Sequence, residues 1–128
     1  MPSHRPKLPP VSEQMKAWSA ALADEVLTWP DVSSKPFFGF TAVRRKGGMF
    51  ALLPRTRGME SANSLAVKFE NPSASLRTRL LKDERIGKAH LATGRWFTFE
   101  LSSGRDLNEA LRWLERAYQA AGNKKKTK

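Results

Sequence analysis

Two short runs of strand-forming residues, hinged on a pair of glycines, most constrain what this chain can fold into. Phe38-Gly39-Phe40-Thr41-Ala42-Val43-Arg44-Arg45 reads as a strand and Met49 to Leu53 as its return. Gly47-Gly48 between them offers the two positive-φ positions of a tight hairpin turn. Pro54 then ends the return strand.

The flanking sequence supplies more strands and an apolar cover. Ser12 is placed to cap a first helix, with Glu13 in its first turn. Met15, Trp18, Leu22, Val26 and Trp29 recur at spacings of three and four, giving one apolar stripe that Pro30 stops at Trp29. Residues 31–37, rich in Ser, Lys and Pro, read as a loop. Leu65 to Phe69 is a third strand, and Asn71-Pro72 signals a second helix running to about Lys82, with Leu76, Leu80 and Leu81 inward. Lys88 to Ala92 is a short strand, followed by a turn at Thr93-Gly94. In the next run, Arg95 to Leu101, Phe97, Phe99 and Leu101 share one face while Trp96, Thr98 and Glu100 share the other. Asp106 with Glu109 resembles a capping box for a last helix whose inward stripe is Leu107, Leu111, Leu114 and Tyr118, with Gly122 its stop. The pattern predicts an α+β fold in two layers, an antiparallel sheet of about five strands with helices, in the order α-β-β-β-α-β-β-α.

A chain of 128 residues is one domain. Residues 1–11, holding four of the eight prolines, read as a flexible basic arm; 12–122 form the α+β domain, and 123–128 a disordered Lys-rich tail. The opening residues lack the apolar run of a signal peptide, and no segment has the length of apolar sequence that a membrane helix needs. A cytoplasmic protein without membrane insertion is expected.

The formal charge is +11. Six of the cations, Arg5, Lys7, Lys124, Lys125, Lys126 and Lys128, lie in the two ends, and without them 17 cations face 12 acids, a net +5. Such ends raise affinity for any polyanion without specificity. Between them, residues 44–57 hold five cations and no acid: Arg44, Arg45, Lys46, Arg55 and Arg57. With Gly47-Gly48 as the turn, Lys46 and Arg44 point to one face and Arg45 to the other. The same register groups Phe40 with Leu53 and Val43 with Leu52. Arg55 and Arg57 fall in a long loop ending near Asn63. The bland reading is charged strand edges; the functional ones are a phosphate-contacting surface or an acidic protein partner. Stacking on single strands needs exposed aromatics among the cations, and the aromatics here mostly fall on periodic apolar faces, so duplex contact is expected ahead of single-stranded recognition.

Little else carries chemistry. There is no cysteine and the only histidines are His4 and His90, so neither thiolate chemistry nor a transition-metal centre is expected, and no cofactor. Gly47-Gly48 lacks the helix start and Lys-Ser/Thr of a phosphate loop. Asp24-Glu25 and Asp83-Glu84 are neighbours that point in different directions, not acid-base dyads. His90, Arg95, Trp96 and Glu100 are the residues from which a shallow pocket would be lined. No nucleophile, base and orienting group come together.

The segments LTWPDVSSKPFFGFTAVRRKGGMFALL, SLAVKF, GRWFTFEL and LRWLERAYQAA resemble the MmcQ/YjbR-like and TfoX N-terminal-domain proteins. Trp29-Pro30, Phe38-Gly39, Gly47 to Ala51, the Lys-Phe strand end and the Trp96 strand carry the likeness, over about residues 18–121. The resemblance implies a two-layer α+β domain and, from the YjbR-like group, DNA contact through wing-like hairpins; TfoX-type proteins are linked to competence regulation. Its element order is also similar to that of dimeric secretion chaperones. The expectation is a small non-enzymatic domain that binds nucleic acid through Arg44, Arg45, Lys46, Arg55 and Arg57, helped by Lys124, Lys125 and Lys126. The alternatives are a protein-binding adaptor or chaperone-like homodimer using an exposed sheet face and, third, a small-ligand enzyme.

Overall fold

The sequence cues for helix starts hold at the first helix and shift at the other two. The computed structural model describes residues 10–57, 63–69, 73–83, 86–88 and 96–123. Ser12 caps α1 (Glu13–Val26), its hydroxyl accepting the Met15 N–H at 3.0 Å. Helix α1 ends before the predicted Trp29. Thr28 and Trp29 donate instead to carbonyls three residues back, a tightened turn that brings the chain to Pro30 without the clash a full α-turn would meet. Helix α2 (Ala74–Lys82) is capped by Ser73, whose hydroxyl accepts from Leu76 N–H; the Asn71-Pro72 signal lies outside the described residues. In α3 (Asp106–Asn123) the Asp106 carboxylate accepts from Ser102 and Ser103 N–H, which fixes the approach to the helix.

Among the described residues six strands form one antiparallel sheet. They are β1 (Val32–Phe37), β2 (Phe40–Arg45), β3 (Gly48–Pro54), β4 (Ser64–Lys68), β5 (Ile86–Lys88) and β6 (Trp96–Glu100), in the spatial order β1-β2-β3-β4-β6-β5. The two-layer α+β class is as the sequence predicts, with one strand more. Segment 31–37 contributes β1, pairing with β2 from Val32↔Arg45 to Phe37↔Phe40. Pro36 cannot donate a hydrogen bond, which an edge strand tolerates and a central one does not. The expected strand at Lys88 to Ala92 begins earlier, at Ile86, and residues 89–92 lie outside the described part. The fold also starts earlier than the arm boundary implied. Val11 is buried and donates to the Thr56 carbonyl at 3.1 Å, and Pro10 bridges to Arg57.

The central hairpin turns one residue sooner than Gly47-Gly48. Arg45 pairs with Gly48, so Lys46 (φ 51°) and Gly47 (φ 87°) occupy the two positive-φ positions. A bulge then sets Phe50 outside the register, between the pairs Arg44↔Met49 and Val43↔Ala51. The bulge swings the Phe50 ring under the helices, 5.8 Å from Tyr118. It also corrects the predicted groupings. Val43, Phe50, Ala51 and Leu53 join the helix-side core with Leu65, Val67, Phe97 and Phe99, while Phe40, Ala42, Leu52 and Ala66 form a second cluster on the opposite face.

Helices close the first of these faces. Met15, Trp18, Leu22 and Val26 of α1, Leu80 of α2, and Ala110, Trp113, Leu114, Ala117 and Tyr118 of α3 complete the main core. The buried stripe of α3 is rotated toward Trp113 relative to prediction, leaving Leu107 and Leu111 at its margin. Among the described residues no helix is long and apolar enough to cross a membrane.

Candidate nucleic-acid interface

The five cations of residues 44–57 divide into three environments. Alternation places Arg44 on the face away from the helices and Arg45 under them, while Lys46, expected on the Arg44 face, is taken up by the turn. The Arg45 guanidinium lies 4.1 Å over the Tyr118 ring and donates to the Tyr118 carbonyl at 3.0 Å. That carbonyl belongs to α3, 73 residues away in sequence. Arg45 is thus a half-buried tie between sheet and helix and presents little to a partner. Lys46 sits in the turn, held by Asp31 through its backbone N–H (3.1 Å) and its ammonium (3.8 Å). Arg44 reaches back to the Gly47 carbonyl at 3.4 Å.

Arg55 and Arg57 lie at the other end of β3, about 20 Å away at ~3.4 Å per residue. Both are exposed. Their loop is not a free excursion. The Gly39 carbonyl accepts N–H bonds from Arg55, Thr56 and Arg57 at 3.0, 2.9 and 3.3 Å. Gly39 has φ 89°, and a Cβ there would meet Arg57 Cγ and Thr56 Oγ1 at 3.0 Å. Glycine is required twice over, by its backbone angle and by the close approach of the loop.

Gly39 is the second residue of another two-residue turn. Phe37 pairs with Phe40, leaving Phe38 (φ 49°) and Gly39 as the positive-φ pair of a type I′ hairpin. A bulky aromatic seldom occupies that backbone region. Phe38 is also 85% exposed, where Leu27 at 42% is the other exposed large hydrophobic side chain among the described residues. The Phe38 ring meets Phe37 edge-on at 4.8 Å between centroids. Sequence reading passes over Phe38 because Phe37-Phe38-Gly39-Phe40 resembles the start of a core strand. The signal available is the same one used at the central hairpin, a glycine between two strand-forming runs.

Charge is unevenly shared between the layers. The strands contain Lys35, Arg44, Arg45, Lys68 and Lys88 against the single acid Glu100. Register sets Lys35 across from Ala42, and Lys68 across from Trp96, on the face that carries Arg44. The Lys68 ammonium lies 5.9 Å from the Trp96 ring centre. A further basic element goes beyond the sequence expectation: α2 exposes Arg77, Arg79 and Lys82 and contains no acid.

The suggested small-ligand pocket is not assembled among the described residues. Trp96 and Glu100 share a face of β6, but four residues of extended chain set them about 13 Å apart. His90 and Arg95 lie outside the described residues, as do Lys124, Lys125 and Lys126. Two cavities are lined by other described residues. One of about 420 Å³ separates the end of α1 from α3, beside Trp29 and Tyr118, and one of about 440 Å³ lies between Leu76 of α2 and Arg116 of α3. No group of three His, Cys, Asp or Glu suited to a metal occurs among the described residues. Comparison with protein-family models, with curated proteins and with solved structures finds no match for this chain.

Proposed function

We propose that this chain is a small non-enzymatic nucleic-acid-binding domain of the MmcQ/YjbR-like kind, gripping phosphates without reading sequence. The observation that carries the proposal is the pair Arg55 and Arg57, exposed on a loop whose backbone is pinned by three hydrogen bonds to one carbonyl. Pinning removes the backbone-ordering part of the entropy that a loop loses on contact. Pro10 bridges to Arg57 and Val11 donates to the Thr56 carbonyl, bonds that further hold the backbone of this loop. Arg44 and Lys46 provide a second contact point about 20 Å along the ribbon, a reach of roughly six base pairs at ~3.4 Å per pair. Lys124, Lys125 and Lys126 add charge that raises affinity without specificity. Arg45 is removed from the contact set, because its guanidinium serves Tyr118.

Replacing Arg55 and Arg57 together by Ala in the full chain tests the reading. The slope of log affinity for duplex DNA against log salt should flatten by about 1.8, roughly 0.9 for each phosphate no longer neutralised. An unchanged slope overturns the assignment. The adaptor or homodimer reading has less to rest on. Phe40, Ala42, Leu52 and Ala66, the apolar centre of the face that would carry it, are buried.

A further inference from the structure

The aromatic at the β1–β2 tip combines two features that local physics disfavours. Phe38 holds a positive φ that a bulky side chain rarely adopts, and it leaves its ring 85% exposed. Asn-Gly would satisfy the same turn without either cost. Departures from local preference that gather at one residue point to a use for the side chain.

The surroundings say what that use is. Phe37 backs the Phe38 ring edge-on at 4.8 Å and is itself packed against the cluster of Phe40, Ala42, Leu52 and Ala66. The tip is therefore supported from the protein interior. The next residue, Gly39, anchors the backbone of Arg55, Thr56 and Arg57, so two exposed arginine residues stand on the loop clasped to the turn that displays the ring. An exposed aromatic face set beside cations is the arrangement that accepts an unstacked base while its phosphates are neutralised. A buried protein contact would want a wider apolar surround than this tip has; Leu27, the other exposed large hydrophobic side chain among the described residues, belongs to the C-terminal cap of α1.

We propose that Phe38 stacks on an unpaired nucleobase, with Arg55 and Arg57 on the flanking phosphates, so that the domain prefers single-stranded or unstacked nucleic acid over intact duplex. This rests on the phosphate-binding reading and names its substrate class. The test uses the full chain with two probes, a short oligothymidine carrying one 2-aminopurine and a mixed-sequence duplex of equal length. Phe38→Ala should weaken single-strand binding about tenfold, the order expected for one stacked base, and abolish the change in 2-aminopurine fluorescence. Its salt slope should match the parent protein. Phe38→Trp should retain single-strand affinity, whereas Phe38→Leu, apolar but without a ring, should behave as Ala. Phe38→Asn suits the turn better than Phe, so weaker binding by that variant at undiminished thermal stability excludes misfolding as the cause.

Parent-like affinity of Phe38→Ala for the single strand overturns the stacking proposal and leaves the phosphate reading intact if Arg55→Ala/Arg57→Ala still flattens the slope. Full retention by Phe38→Leu overturns it as well, since apolar contact alone then suffices. Absence of salt-dependent binding of the parent protein to either probe overturns both.

Discussion

Replacing Phe38 by Asn should make the protein more stable, although it deletes an aromatic ring. The left-handed backbone region costs a side-chain-bearing residue about 1–2 kcal/mol, a penalty that Asn partly escapes through its short polar side chain. Against this stands what the ring contributes. With 85% of the residue exposed, its burial is worth about 0.3 kcal/mol on the scale of a fully buried Phe. The edge contact with Phe37 adds about 0.5 kcal/mol, the low end for a pair so open to water. The balance favours Asn by up to about 1 kcal/mol, which for a domain of this size raises Tm by at most roughly 5 °C. Thermal and urea unfolding of the parent, Phe38→Asn and Phe38→Ala give the decisive order. Asn should exceed Phe, and Ala should not exceed Phe, because Ala loses the ring and keeps the unfavourable backbone. A Phe38→Asn variant that melts below the parent would refute the turn assignment on which the argument stands.

Two other substitutions separate structural cations from contacting ones. Arg45→Ala should cost about 1–2 kcal/mol of stability in urea unfolding, by removing the bond to the Tyr118 carbonyl and the guanidinium over its ring, while the salt slope of DNA binding stays constant. Gly39→Ala should destabilise by more than about 1 kcal/mol, because the added Cβ meets two side chains and the backbone sits at φ 89°. By displacing Arg57 it should also weaken nucleic-acid binding, measured by anisotropy at fixed low salt.

The elements are legible where one local pattern decides them. Trp96, Thr98 and Glu100 face away from Phe97, Phe99 and Leu101 because alternation along a strand admits nothing else. Ser12 caps α1 because its hydroxyl and the Met15 N–H are brought together by the first turn itself. The site is less legible because distant contacts decide it. The hairpin turns at Lys46-Gly47, not Gly47-Gly48, in a register that lets Phe50 and Arg45 both reach Tyr118, and nothing near residue 47 encodes a partner on α3. Segment 31–37 has the composition of a loop and becomes a strand because β2 offers it an open edge. Phe38 reads as part of a core run until the pairing of Phe37 with Phe40 puts it at the tip. The separate settings of Arg45 under Tyr118 and Lys46 in the turn follow from those same contacts.

The two tight turns that join β1, β2 and β3 also bear on how the fold is reached. Residues 32–54 form a continuous meander in which each strand meets the next after only two intervening residues. Such pairings close with little loop entropy and form on the scale of about 1–10 μs, whereas the β4–β6 pairing must wait for Ser64 to find Glu100 across α2 and β5. We expect the meander to form first, with φ-value analysis of residues 32–54 as the check. A better residue at position 38 would accelerate folding and hardly alter unfolding, while removal of Arg45, whose partner arrives with the last helix, would chiefly hasten unfolding. Position 38 would then bear on the rate at which the sheet forms as well as on its stability.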